Sequence, residues 1–320
     1  MSPDATSLPT ISGATDVYFI LGDPVEQVRA PETFNGLFAQ NGIDAVLVPI
    51  QVPAAQLAGF VQSVFQARNV KGLWVTMPHK EAMLGLVHSC SETARIAGAV
   101  NAVRRNAAGQ LEGALFDGEG FLASLAYYGI THGGKRVLVI GAGGAAAAIG
   151  TSLALGQGAG AARELAFFDP TPGKAAALAA RIQAATATPA RAVAHSDPIG
   201  FDLVVNASPL GLRASDPLPC GMDNLERHCA LVDIVMKNQP TPWVQAARAR
   251  GLQAQPGFEM LIQQSHLYLD FFGFHGAARR LQSDCTPLRR QMYPDALAHE
   301  ITQPFRPATP TETCPPFQNF

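Results

Sequence analysis

The stretch V-L-V-I-G-A-G-G-A-A, residues 137–146, limits the folds open to this chain more than any other segment. Four apolar residues predict a buried strand, the glycines predict a tight turn, and the alanine-rich sequence behind them predicts a helix. This order is typical of the first unit of a doubly wound sheet, where a pyrophosphate binds at the helix N-terminus. A glycine-rich packing turn without a ligand is the alternative. The candidate cofactor-binding residues here are Gly141, Ala142, Gly143, Gly144 and Ala145.

Asp169 ends the next predicted strand, E-L-A-F-F-D, about twenty residues further on, where an acid binds the adenosine ribose in this kind of unit. A carboxylate accepts hydrogen bonds from both ribose hydroxyls but repels a 2′-phosphate, and the first base after it is Lys174. The pattern therefore favours NAD as the cofactor, with NADP possible. A purely structural role for Asp169, capping the next helix, is the alternative.

Strands and helices alternate on both sides of this loop, which predicts the α/β class with parallel sheets covered by helices. Before the loop, alternation begins at Asp16, and a hairpin turning at Asn106 to Gly109 follows the strand G-L-W-V-T-M. A strongly apolar helix is predicted from Glu259 to Phe272. We expect a flexible tail over residues 1–15 and an extended, proline-rich arm over residues 286–320.

The overall charge argues against several classes of protein. A net charge of −2 does not provide the basic field that a nucleic-acid or membrane-surface binder needs. We find no apolar run long enough to span a bilayer and no signal-peptide pattern at the N-terminus. The five cysteines form no metal-type cluster, and we expect free thiols in a cytoplasmic protein. The expected partner is a small-molecule substrate, with no nucleic acid, membrane or metal, and the expected assembly is a monomer or homodimer.

Two residues outside the loop carry the candidate chemistry. Lys80 closes the segment W-V-T-M-P-H-K and Asp117 closes G-Q-L-E-G-A-L-F-D. A lysine and a carboxylate beside a nicotinamide would suit reversible alcohol oxidation, because one handles the hydroxyl proton and the other orients it. Lys80 as a surface residue at a helix start and Asp117 as a helix cap are the alternatives. His79, next to Lys80, is better explained as a structural histidine.

Seven short segments in this order resemble the shikimate dehydrogenase family, over a span from about Val17 to about Gln282. The segments are G-D-P at 22–24, V-T-M-P-H-K at 75–80, A-G-A-V-N-A at 97–102, D-G at 117–118, G-A-G-G-A at 141–145, N-A-S-P-L-G at 206–211 and G-F-E-M-L-I-Q-Q at 257–264. The family oxidises a ring hydroxyl of shikimate or quinate, with hydride transfer to NADP or NAD.

The resemblance implies a domain order and a set of roles. It implies a substrate-binding catalytic domain over 16–120, a Rossmann domain over 121–256 and helices over 257–285 that return to the first domain, with the active site in the cleft. Lys80 and Asp117 match the catalytic pair. The matching substrate-binding residues are Thr76, Asn101 and Gln264, and the matching cofactor-pocket residues are Asn206, Ala207, Ser208, Ile234 and Gly257.

The chain departs from the family where the substrate carboxylate is held. Val28 and Ala30 replace two serines, and Met236 replaces a tyrosine. Trp74 replaces the asparagine that opens the lysine motif, and the usual G-D-N-T-D-G reads G-A-L-F-D-G, with Ala114, Leu115 and Phe116. Each lost charge-assisted bond costs on the order of 1.5–3 kcal/mol of binding. We therefore expect a cyclic or small polyol-type alcohol whose carboxylate is absent or held elsewhere, Arg29 being the first substitute to consider.

Two kinds of protein fit these observations. One is an NAD(P)-dependent dehydrogenase for a shikimate- or quinate-like cyclic alcohol. The other is a non-catalytic regulatory protein that binds a dinucleotide and has kept the fold. Retention of both Lys80 and Asp117 favours the enzyme, since a binding module needs neither.

Overall fold

The computed structural model describes residues 11–156 and 159–307 and places two six-stranded sheets along the chain. The first sheet contains β1 Asp16–Gly22, β2 Ala45–Gln51, β3 Val70–Val75, β4 Ser89–Cys90, β5 Ala102–Arg105 and β6 Leu111–Ala114, in the order β2-β1-β3-β5-β6-β4. The predicted hairpin forms, and it adds β5 antiparallel to β3. The strands β1, β2 and β3 pair in parallel as predicted, and the predicted hairpin makes the sheet as a whole mixed.

The second sheet is parallel throughout and has the strand order of a dinucleotide-binding fold. Its strands are β7 Arg136–Ile140, β8 Glu164–Phe168, β9 Ala190–Ala192, β10 Leu203–Asn206, β11 Ala230–Asp233 and β12 Ala254–Gln255, in the order β12-β11-β10-β7-β8-β9. The short edge strands β9 and β12 were not predicted, because two or three residues carry too little periodicity. The α/β class and the order of the two domains are confirmed.

Helices cover both sheets. They are α1 Ala30–Gln40, α2 Leu57–Val64, α3 Lys80–Leu84, α4 Glu92–Ala97, α5 Asp117–Tyr128, α6 Gly144–Leu155, α7 Lys174–Ala185, α8 Pro242–Ala249, α9 Phe258–Phe271, α10 His275–Ser283 and α11 Thr286–Met292, with 3₁₀ turns at Ala54–Gln56 and Asp295–Ile301. None of the helices in the described ranges is long and apolar enough to cross a bilayer. Helix α9 packs its aromatic face on the first sheet, which is where the sequence predicted that the helices after residue 257 return.

Helix α5 joins the two halves of the molecule and packs between α6 and α9. Two glycines permit this close packing. A Cβ on Gly118 would collide with Ser152 and with the carbonyl oxygen of Ala148 on α6. A Cβ on Gly120 would lie 2.6 Å from the carbonyl oxygen of Met260 on α9. The proposed domain boundary at residue 120 therefore falls inside a continuous helix, because α5 belongs to the packing of both halves.

The segment after Cys285 differs from the extended arm that we predicted. Residues 286–292 form α11 and residues 295–301 form a 3₁₀ turn, because Leu288 and Met292, one helical turn apart, and Leu297 are buried. Prolines begin these elements rather than break them, as Pro287 lies in the first turn of α11. The predicted tails at residues 1–10 and beyond residue 307 lie outside the described residues.

Candidate active site

Lys80 and Asp117 form an ion pair where the two halves of the molecule meet. Lys80 begins α3, just beyond the carboxyl end of β3, and Asp117 begins α5. The Lys80 ammonium donates a hydrogen bond to Asp117 Oδ2, and their side chains are 15% and 5% exposed. Asp117 makes no side-chain capping bond, so the alternative of a helix cap finds no support. The structure thus brings the predicted catalytic pair into contact within a mostly desolvated site.

The stem of Lys80 also reaches the glycine-rich loop of the other half. A Cβ placed on Gly144 would lie 3.0 Å from Lys80 Cβ and 3.2 Å from Lys80 Cδ. Lys80 therefore follows β3 of the first sheet in sequence, and its side chain contacts the N-terminus of α6. Proton chemistry at Lys80 and a ligand at the glycine loop would consequently share one cleft.

His79, the neighbour of Lys80, points into the protein. Its side chain is buried, and Nε2 lies 2.7 Å from the carbonyl oxygen of Val52. This contact ties α3 to the loop after β2. The interpretation of His79 as a structural residue agrees with this geometry.

Two of the three predicted substrate-binding residues have buried polar atoms without partners. Asn101 accepts a hydrogen bond from the Phe116 backbone through Oδ1, but its Nδ2 has no partner among the described residues. Gln264 on α9 has an unpartnered Oε1 and is 4% exposed. Buried polar groups are nearly always paired, so these two atoms are candidates to bind substrate hydroxyls. Thr76 lies directly beyond β3, its backbone bonded to Leu21 and its methyl group against Gly22.

Tyr268 is a site residue that the sequence did not single out. It lies one helical turn after Gln264 on α9, is buried, and donates a hydrogen bond to the Asn101 carbonyl oxygen at 3.3 Å. Burial, and then the nearby Asp117 charge, raises the pKa of its phenol well above the usual value. Tyr268 therefore remains protonated and fixes Asn101 relative to α9. Only the helical register between Gln264 and Tyr268 could have indicated this role.

The residues that replace the family's carboxylate binders present an apolar surface. Val28 and Met236 are partly buried and pack on the aromatic core beneath α9, and Ala30 is buried at the start of α1. Arg29, the possible substitute, forms an ion pair with Glu32 at 3.0 Å. Its guanidinium is thus paired with a residue in the first turn of α1. These positions offer no built site for a substrate carboxylate.

The glycine-rich loop has the shape that a pyrophosphate requires. Gly141 has a φ of +112°, and a Cβ there would lie 2.6 Å from the Ala207 carbonyl oxygen, so only glycine fits. Gly143 precedes α6, and a Cβ there would meet no atom within 4 Å. The loop therefore leaves open space at the N-terminus of a twelve-residue helix, where anions are stabilised. These residues, with Ala142 and Ala145, fit a dinucleotide.

Asp169 lies beside this loop, just after β8. Its Oδ2 accepts a hydrogen bond from the Ala142 backbone and its Oδ1 accepts one from Thr171, both at 2.9 Å. The carboxylate thus helps to shape the loop and still has lone pairs for further donors. The residues from Pro170 to Gly173 are exposed and carry no charge.

The remaining predicted pocket residues lie at or just beyond the carboxyl ends of β10, β11 and β12. Asn206 is fully buried, accepts a hydrogen bond from Ser208 Oγ at 2.6 Å and donates one to Asp233 at 3.0 Å. Its polar atoms are therefore used inside the protein, which favours a role in shaping the pocket. Ala207 contacts Gly141, and Gly257 packs against the backbone of Ile234.

Asp233 and Thr241 complete this network, and sequence reasoning missed both. Asp233 accepts hydrogen bonds from Thr241 Oγ1 at 2.7 Å and from the Val235 backbone at 3.0 Å. Burial raises the pKa of Asp233 to about 6, although these bonds and the one from Asn206 act in the opposite direction. The network holds the loops after β10 and β11 together beside the cofactor pocket.

Comparisons with known proteins agree with this geometry. A sequence profile of the shikimate dehydrogenase substrate-binding domain matches residues 20–103. The chain is 40% identical over 263 residues to the shikimate dehydrogenase (NADP(+)) of Rubrobacter xylanophilus, covering 81% of this chain and 90% of the relative. Among solved structures, 5-ketofructose reductase of Gluconobacter sp. strain CHM43 superposes with a TM-score of 0.72 at 29% identity, covering 85% of this chain and 99% of that one. Shikimate 5-dehydrogenase of Listeria monocytogenes, in complex with shikimate and NAD, gives a TM-score of 0.74 at 26% identity, covering 85% and 97%.

Proposed function

Because this chain belongs to the shikimate dehydrogenase family and is an NAD(P)-dependent oxidoreductase, we propose that it interconverts an uncharged cyclic polyol and the corresponding ketone. One observation carries the proposal. The polar chemistry of the site is present around Lys80 and Asp117, whereas the positions that would hold a carboxylate are the apolar Val28, Ala30 and Met236. A non-catalytic regulatory role has no support from the curated relatives, which are named as dehydrogenases.

The proposed chemistry divides between the protein and the cofactor. The bound nicotinamide supplies the acceptor or donor of the hydride. In alcohol oxidation, Lys80 acts as a neutral amine: its Nζ takes the hydroxyl proton as the carbonyl forms and becomes the ammonium. In ketone reduction the ammonium gives that proton to the same oxygen. Asp117 holds the ammonium in place and balances its charge. Asn101 Nδ2 and Gln264 Oε1 bind the neighbouring hydroxyls with their unpartnered atoms.

A solved relative supports an uncharged substrate. This chain aligns with almost the whole length of the Gluconobacter enzyme, which is named for the reduction of 5-ketofructose, a sugar without a carboxylate. Loss of two charge-assisted bonds to a carboxylate, each on the order of 1.5–3 kcal/mol, would weaken shikimate by orders of magnitude. The family resemblance and the apolar substitutions are therefore compatible in one enzyme.

The test is a substrate panel followed at 340 nm. We expect reduction of 5-ketofructose or oxidation of an uncharged cyclic polyol such as myo-inositol, and a high KM or no turnover with shikimate and quinate. The double variant Val28→Ser with Ala30→Ser should lower the KM for shikimate, because it restores two hydroxyl donors. Shikimate turnover by the native enzyme with a micromolar KM would overturn the proposal.

We further propose that the enzyme prefers NAD to NADP. The Asp169 carboxylate beside the glycine loop supports this preference, because it would accept bonds from the ribose hydroxyls and repel a 2′-phosphate. The Rubrobacter relative is named for NADP(+), and the Listeria structure holds NAD. Titration of both cofactors is the test, and equal or tighter binding of NADP would refute the preference. Asp169→Ala should narrow the difference in affinity between NAD and NADP. Asp169→Asn is the control, because it retains one oxygen to accept a bond from the loop backbone.

A further inference from the structure

Three aromatic side chains from separate elements meet below the Lys80–Asp117 pair. Trp74 of β3 stacks on Tyr268 of α9, with ring centroids 5.3 Å apart and an angle of 10° between the planes. Phe116 packs edge-on against Tyr268 at 5.0 Å. Tyr268 is near enough to Asp117 for that charge to raise the pKa of its phenol. The aromatic group therefore borders the reacting groups rather than a remote part of the core.

Phe116 is the only one of the three that is not fully buried. Trp74 is 2% and Tyr268 5% exposed, whereas Phe116 is partly exposed. Its position is well fixed, because its backbone N–H donates to Asn101 Oδ1 at 3.1 Å and the next residue is Asp117. A buried core residue would show no such exposure, and a simple surface residue would not be held by the site's own asparagine.

Polar atoms without partners surround the aromatic group. Asn101 Nδ2 and Gln264 Oε1 are two of them, and the Trp74 indole N–H is also buried without a partner among the described residues. An apolar face bordered by a few donors and acceptors is typical of a small-molecule pocket. Such a face suits the carbon–hydrogen side of a ring whose hydroxyls point outward from its edge.

We propose that Phe116 provides a stacking face for the substrate ring and is a specificity-determining residue of this enzyme. The ring would pack its carbon–hydrogen face on Phe116 while Asn101 and Gln264 bind its hydroxyls. This inference rests on the proposed function, because it requires an uncharged ring as the substrate. A carboxylate at this place would lie against the aromatic face without a partner, at a large desolvation cost.

Kinetics of two leucine variants test the proposal, with 5-ketofructose and myo-inositol as the probes. Phe116→Leu retains an apolar side chain but removes the aromatic face, so the KM should rise roughly 2- to 12-fold, the range that aromatic contacts support, with kcat nearly unchanged. Phe271→Leu is the matched control, because Phe271 contacts the Phe116 ring at 5.7 Å from beneath Arg104. We expect the control to leave KM within about twofold of the native value.

A binding measurement gives a second readout that needs no turnover. The chain has two tryptophans, and Trp243 lies in the separate core of the second sheet. In a Trp243→Phe background, emission from Trp74 should change when the uncharged probe is added, which gives an apparent Kd. Phe116→Leu should raise that Kd by a factor similar to the one expected for KM.

The outcomes separate the two proposals. If the enzyme turns over an uncharged probe and Phe116→Leu leaves both its KM and its fluorescence titration unchanged, the proposed function stands and the stacking face is refuted. An equal loss in Phe271→Leu would likewise refute it, since general packing would then explain the effect. If the native enzyme acts only on shikimate with a micromolar KM, the proposed function fails, and the stacking of an uncharged ring fails with it.

Discussion

The ion pair between Lys80 and Asp117 makes each residue dependent on the other. Both side chains are largely removed from water, so loss of one partner leaves an uncompensated charge, which typically costs about 3–5 kcal/mol. A structural ion pair would show that loss in stability alone. A catalytic pair should also show it in turnover, in proportion to the proton transfer that it performs.

Lys80→Ala is therefore expected to reduce kcat by roughly 10²–10⁴-fold, the usual contribution of general acid–base catalysis. NAD(P) binding should remain nearly intact, because Lys80 contacts the glycine loop only through its aliphatic stem and the loop's own backbone would bind the pyrophosphate. Steady-state kinetics and a cofactor titration measure the two effects. Lys71→Ala is the matched control, since Lys71 is an exposed lysine paired with Asp16 at 3.4 Å at the opposite end of the sheet. Near-native kcat in Lys80→Ala would show that Lys80 is only structural.

Asp233 predicts a pH dependence of stability whose sign follows from its raised pKa. Burial raises this pKa from 3.8 to about 6, so the folded state binds the proton more tightly than the unfolded state does. The associated stability is present below the unfolded pKa and is lost as pH rises through about 6. The total change is about 3 kcal/mol, from the size of the shift.

Chemical unfolding of the native protein and of Asp233→Asn at several pH values tests this expectation. The free energy of unfolding of the native protein, relative to the variant, should fall as pH rises from about 4 to 6 and then level off. Other titrating groups cancel in this difference. A gap that widens with rising pH would mean that the bonds from Thr241, Asn206 and Val235 outweigh the cost of burying the charge.

At the scale of elements, helix α5 is the most constrained part of the structure. Its first residue, Asp117, belongs to the site, and Gly118 and Gly120 bring α6 and α9 into close contact with it. A Cβ on Gly120 would lie 2.7 Å from Gln264 Cβ, so the position of this proposed substrate-binding residue depends on the glycine. Packing of α5 therefore couples the geometry of the site to the joining of the two halves.

Gly120→Ala should lower the free energy of unfolding by about 1–3 kcal/mol, the usual cost of overpacking. It should also raise the KM, because α9 must move away together with Gln264. Gly59→Ala is the matched control, since Gly59 is an exposed residue of α2 and a Cβ there would have no atom within 4 Å. That control should stabilise the protein by up to about 1 kcal/mol. Equal effects of the two substitutions on stability and KM would contradict the role of α5.

Local patterns predicted much of this fold, and long-range contacts explain what they missed. The glycine loop, the hairpin at Asn106 and the face of α9 follow from residues close together in sequence. Tyr268 and Asp233 act through partners that are distant in sequence, Asn101 and Asn206, so no local period reveals them. The family match supplied the domain order and the site list, which spacing alone would not have provided.

At the scale of the whole molecule, the segment 286–307 contacts elements from both halves. Two buried carboxylates anchor it: Glu259 of α9 binds Arg289 at 3.0 Å, and Glu300 binds Arg248 of α8 at 2.6 Å. Glu300 also accepts a hydrogen bond from Tyr128 of α5 at 2.8 Å. Composition suggested an extended arm here, because the prolines are conspicuous and the buried partners lie far away in sequence. The segment instead joins elements from both halves of the protein.

Glu300→Ala should therefore destabilise both halves together. Removal of this fully buried carboxylate takes its partner oxygens from the largely buried Arg248 guanidinium and the Tyr128 hydroxyl, at a cost of about 3–5 kcal/mol. Trp74 reports on the first sheet and Trp243 on the second, so denaturant unfolding of single-tryptophan variants follows each half separately. Both midpoints should fall by similar amounts. Glu92→Ala is the matched control, since its surface pair with Arg95 at 3.8 Å should contribute less than about 1 kcal/mol. A shift of only one midpoint would show that the segment stabilises one half, and that other contacts hold the two sheets together.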